Sequence, residues 1–133
     1  MGTVGSLRSA PRRRAVRAAT SVLAAAGAVL LTRPRQVVRL VAPGEPEPPL
    51  AVVRALGGRL VVQHVLVALR PTRRRLLAGA VVDALHAASM LPAAAIWPTH
   101  RRQAIASGAV GATSALAALA LSRAVAPSAT GGP

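Results

Sequence analysis

An all-α integral membrane bundle of four transmembrane helices is the fold this sequence predicts, and three observations predict it. The chain of 133 residues carries a formal net charge of +14, yet 53% of it is hydrophobic and its mean hydropathy is +0.48. Its charges are bunched: all 17 basic residues are Arg, and most gather between four long apolar runs. Each run approaches the roughly 20 residues that a helix needs to cross a hydrocarbon core of about 30 Å. The apolar residues are aliphatic, with 31 Ala, 17 Leu and 17 Val, a mixture rich in strong helix formers.

The same composition excludes several classes of function. One Trp and no Phe or Tyr leave no stacking platform, so the charge does not read as a nucleic-acid signature. The absence of Cys removes disulfides, thiolate catalysis, iron–sulfur ligation and Cys-based zinc sites. No phosphate-cradling loop and no nucleophile beside a base can be found, so no catalytic residue, cofactor or metal is expected.

Taken in order, residues 1–14 form a basic N-terminus, expected to be cytoplasmic. The first span, about 15–32, follows Arg12, Arg13, Arg14 and Arg17 and reads as a signal anchor. It ends in Leu30-Leu31-Thr32-Arg33-Pro34, without the small residues that a cleavage site needs. The connector 33–49 opens with Arg33, Arg35 and Arg39 interleaved with Val37, Val38, Leu40 and Val41, a pattern suited to the membrane interface. Its second half holds Pro43, Pro46, Pro48 and Pro49, which exclude a helix there. The second span, about 50–69, is the least hydrophobic, containing Arg54, Gly57, Gly58, Arg59, Gln63 and His64. Arg54 is near its end and can snorkel, whereas Arg59 falls near the midplane.

The loop Arg70-Pro71-Thr72-Arg73-Arg74-Arg75 is too short for anything but a tight antiparallel hairpin with the third span, about 76–97. That span carries Asp83, His86 and Pro92. Pro92 removes a hydrogen bond to Ala88, so a kink is expected. After Pro98-Thr99-His100-Arg101-Arg102 comes the fourth span, about 104–122, free of charge. Gly108 and Gly111 lie on two stripes of small residues that allow close packing, within the bundle or against a second copy. The tail 123–133 is rich in Pro, Ser and Gly and reads as disordered.

Basic residues in short loops set orientation. With the N-terminus inside, Arg8, Arg12, Arg13, Arg14, Arg70, Arg73, Arg74, Arg75 and Arg123 fall on the cytoplasmic side, against Arg33, Arg35, Arg39, Arg101 and Arg102 outside. Nine against five favours a multi-pass protein of the cell membrane with both termini cytoplasmic. Anionic headgroups of the bilayer are the expected partner of these arginines. Trp97 marks the outer interface.

Asp83 is the one acid inside a span, and an intramembrane acid needs a partner. Gly79, Asp83, His86 and Met90 share one face of the third helix; Arg59, Gln63, Leu66 and Arg70 share one face of the second. With the hairpin turn between Thr72 and Arg73, residue i lies level with 145 − i. Arg59 then stands beside His86, and Asp83 one step from Gln63. The expected cluster is Arg59, Gln63, Asp83 and His86. Asp83 has two readings for its partner: Arg59 at full reach, or Gln63 with His86 left to Arg59. As a metal site the cluster is poor, because Asp83 and His86 give two ligands and His64 would have to turn into the same groove.

The stretch Leu56-Gly57-Gly58-Arg59-x-x-x-Gln63, then Arg70-Pro71, Val82-Asp83-Ala84-Leu85-His86-Ala87-Ala88-Ser89-Met90 and Arg101-Arg102, resembles a group of small, uncharacterised four-helix integral membrane proteins of actinobacteria. The resemblance implies a fold, a membrane location and a GC-rich source, and carries no chemistry. The expected role is structural or accessory, with a membrane-protein partner or a second copy as the partner classes left open. The alternative is a small oligomeric transporter or channel subunit that uses the Gln/Asp/His/Arg cluster.

Overall fold

The computed structural model describes residues 4–125, and all its regular elements in that range are helical. They are α1 (Val4–Thr32), α2 (Pro34–Val41), α3 (Leu50–Leu69), α4 (Arg73–Ile96), a 3-10 turn at Pro98–His100 and α5 (Arg101–Ala124). Four of these helices are long and apolar enough to cross a membrane.

Several boundaries differ from the sequence reading. α1 begins eleven residues before the expected span and includes Pro11. The connector contains a short helix, α2, started by Pro34 at its first turn, where the missing N–H costs nothing. Pro34 and Val38, one turn apart, are buried, while Leu40 is exposed. The proline-rich half, after Val41, is non-helical. α4 is one continuous helix from Arg73 to Ile96, with Pro92 inside it. α5 continues to Ala124, past the start of the expected tail, whose residues 126–133 lie outside the described range.

The long helices alternate in direction. Val16 packs with Val67 and Leu76, and Leu121 packs against that group, which places the middle of α1, the α3–α4 turn and the end of α5 together. At the opposite end Glu45 of the connector reaches the first turn of α5: its carboxylate accepts from the backbone N–H of Arg102 (2.9 Å) and Gln103 (3.3 Å). His100, at the N-cap position, makes no side-chain cap, so Glu45 does this from 57 residues away.

The close backbone seams are α1 against α3 and α4 against α5. A Cβ added to Gly57 would stand 2.7 Å from the Gly27 carbonyl oxygen, and one on Gly27 would stand 2.8 Å from that of Gly57. On α5, Gly108 lies over Met90 and Gly111 over the Asp83 carbonyl and His86. The hairpin partners α3 and α4 are joined by three residues, with Thr72 capping α4 and Arg75 donating to the Leu66 carbonyl at 2.7 Å. They are not the tight pair that the short loop predicts. Their central contact is made by the side chains of Arg59, Gln63 and Asp83.

Polar side chains are buried beside the small apolar core, and large apolar ones face outward. Asp83, His64, Ser114, Thr20 and Ser122 are buried, while Leu91, Val22, Leu116, Leu69, Ile96 and Leu85 are each at least 66% exposed. Large exposed apolar area of this kind marks a surface with a non-aqueous neighbour.

Candidate functional site

The centre of the bundle is built around Asp83, whose residue is 1% exposed. Its Oδ1 accepts from the Arg59 guanidinium at 2.6 Å. Its Oδ2 accepts from Gln63 Nε2 at 2.9 Å and from Ser114 Oγ at 2.6 Å. A carboxylate moved from water into an apolar interior loses hydration worth several kcal/mol, and only charge-assisted hydrogen bonds of good geometry repay it. Asp83 has three, from two other helices, with α4 itself holding the acid.

Local sequence makes room for each donor. Gly79, one turn before Asp83, leaves the path open for Gln63: a Cβ there would stand 3.3 Å from Gln63 Nε2. On α5, Gly111 allows the helix to close on α4 so that Ser114, three residues on, reaches Oδ2 at short range. Arg59 emerges one turn before Gln63 and keeps part of its side chain, 27%, accessible. It bridges the buried carboxylate to the outside of the bundle, as a snorkelling arginine does.

Two histidines flank the centre without touching the acid. His64 Nδ1 donates to the Leu60 carbonyl at 2.8 Å, closing a bond within its own helix. Its Nε2 stands 3.5 Å from Ser114 Oγ, whose one proton is given to Asp83. His86 pairs across the other seam, with Nε2 2.9 Å from Ser107 Oγ. A partly open pocket of about 30 Å³, lined by Thr20, Gln63, His64, Asp83 and Ser114 among apolar neighbours, adjoins the centre. That is about the room of one water molecule.

Of the four residues expected in the cluster, the structure brings Arg59, Gln63 and Asp83 together. Asp83 takes Arg59 on one oxygen and Gln63 on the other, so the first reading holds and the second holds only for Gln63. His86 does not join them; it takes Ser107 instead of standing against Arg59. Sequence reasoning missed Ser114 and Ser107. Their signal was present, since Ser107, Gly111 and Ser114 recur at steps of 4 and 3 and so share one face of α5. No group of three or more metal-ligating side chains occurs among the described residues. Gly108 and Gly111 both pack inside the chain, against α4. No protein family, curated protein or solved structure matches the chain.

Proposed function

We propose that this chain is a small multi-pass membrane protein with a structural or accessory role, in which Asp83 locks the helices to one another. The saturation of Asp83 carries this reading: both oxygens are engaged, by α3 and by α5. A group that must take up and release a proton or a solute needs a free oxygen; both oxygens of Asp83 are already held. Membrane insertion is supported by the four long apolar helices and by the outward-facing Leu and Val. The excess of arginine at the α3–α4 turn end favours that end as cytoplasmic, with both termini there. α3 and α4 are then a hairpin whose polar faces meet at depth. The resemblance to actinobacterial four-helix proteins agrees with this placement.

The test compares the protein and Asp83→Asn, each reconstituted in liposomes for proton and solute flux and also heated in detergent. Flux at background for both, with a lower melting temperature for Asp83→Asn, is the expected result. Flux above background that disappears in Asp83→Asn while thermal stability is unchanged would replace the structural role with the transport one.

A further inference from the structure

At the connector end, outside the Asp83 centre, the chain turns from α1 into α2 and leaves an open cleft of about 410 Å³. Its lining is Thr32, Arg33, Pro34, Arg35, Gln36, Leu50 and Arg54. Three of these seven are arginines drawn from the α1–α2 junction, α2 and α3, and none is acidic. Among the described residues Arg33 and Arg54 have no carboxylate partner; Arg35 lies 3.5 Å from Glu47, which also takes Arg39 at 3.2 Å. Glu45, the other acid at this end, is occupied by the first turn of α5. Three arginines therefore line one space with a single shared counter-charge at its edge.

Like charges gathered beside apolar helices repel one another unless an anion enters, and the guanidinium fork matches the oxygens of a phosphate in pairs. We infer that the Arg33/Arg35/Arg54 cleft is a binding site for a phosphate-bearing anion. Gln36 adds a neutral donor. Leu50 and Pro34 give the cleft an apolar side, against which the carbon skeleton attached to a phosphate diester can lie. The volume lies within the range of small-ligand sites, about 300–1,000 Å³, and exceeds the needs of a bare ion. On the membrane reading the cleft stands at headgroup depth, because it joins the end of α1 to the start of α3, and Arg54 reaches outward from one turn inside. The source is then a phospholipid headgroup. That source rests on the membrane reading; the phosphate site rests on the cleft alone.

Native mass spectrometry of the full chain in neutral detergent tests it, with phosphatidylglycerol and phosphatidylcholine added in turn, and inorganic phosphate added as competitor. Arg33→Gln with Arg54→Gln should weaken phosphatidylglycerol binding by about tenfold or more, at the level of one lost charge-assisted contact. Arg101→Gln with Arg102→Gln, the same charge change at the same end but outside the cleft, should leave it within about twofold. The Lys versions of Arg33 and Arg54 keep the charge without the fork and should fall between. Persistence of phosphatidylglycerol binding under millimolar inorganic phosphate assigns the site to lipid; displacement assigns it to free phosphate, and a cytosolic chain that still binds phosphate in this way keeps the site while losing the membrane reading. Equal losses in the two Gln pairs, or none in the first, overturn the site.

Discussion

Asp83 and Glu47 each draw arginine from another segment, but they do so in opposite surroundings. Asp83 is enclosed, its side chain 2% accessible, and holds Arg59 at 2.6 Å along with Gln63 and Ser114. Glu47 is 37% accessible, and its partners Arg35 and Arg39 are more open still, at 66% and 74%. In the enclosed site the carboxylate has given up its hydration and depends on its partners. At the open end water replaces a lost partner at little cost. The same pair of side-chain types is thus a lock in one place and a loose tether in the other.

The largest effect should come from breaking the enclosed pair on one side. Asp83→Ala leaves Arg59, Gln63 and Ser114 facing a void and should cost about 3–5 kcal/mol in equilibrium unfolding in detergent. Replacing both charges, Asp83→Leu with Arg59→Leu, removes the stranded partner together with the acid and should recover more than half of that loss. A cost for Asp83→Ala below about 1 kcal/mol would put the centre on the same footing as the rim and dissolve the contrast.

The next effect comes from the close α1–α3 seam and contrasts two adjacent glycines. A Cβ at Gly57 would meet the Gly27 carbonyl and the Leu31 amide, both at 2.7 Å, whereas one at Gly58 would meet nothing within 4 Å. Gly57→Ala must push two backbones apart and should cost about 1–3 kcal/mol. Gly58→Ala should be neutral, or gain up to about 1 kcal/mol from helix propensity. Thermal melting of the two variants side by side checks it; equal behaviour would mean that the seam is not closed at Gly57.

These two sites also mark how far the sequence could be read. The four long helices follow from apolar run length and charge placement. The meeting of Asp83 with Arg59 and Gln63 follows from counting back from a three-residue turn, because a short loop fixes relative depth. Rotation is another matter. Nothing in a charge-free, Ala-rich helix says which small stripe faces inward, so neither the third bond to Asp83, from Ser114, nor the diversion of His86 to Ser107 could be derived from α3 and α4 alone. Gly27 sits in an Ala-rich run where a missing methyl is invisible, and its match to Gly57 exists only once α1 and α3 are side by side. The short loop also misleads about closeness, since it fixes which helices are neighbours in sequence while the glycines fix which ones touch.

The smallest effects belong to the open end, and they separate Glu45 from Glu47, two residues away. Glu45 accepts from two backbone N–H groups at the start of α5, donors that have no partner within the helix, and Gln103 Nε2 adds a bond to the Pro46 carbonyl at 2.9 Å. Its contribution is that of an N-cap supplied from a distant segment, so Glu45→Ala should cost about 1 kcal/mol and loosen the first turn of α5. Glu47→Ala removes only exposed ion pairs and should change stability by less than about 0.5 kcal/mol. Raising the salt concentration should erase what little Glu47 contributes, since exposed charges are screened over about 10 Å at 0.1 M. The Glu45 cap should persist, because its carboxylate bonds directly to amide protons at 2.9 and 3.3 Å. Hydrogen exchange at the Arg102 and Gln103 amides reads this difference: protection should fall in Glu45→Ala and stay unchanged in Glu47→Ala. Equal loss of protection in both would show that the connector is held by charge alone, and the distinction between directed hydrogen bonds and diffuse attraction would fail at this end of the molecule.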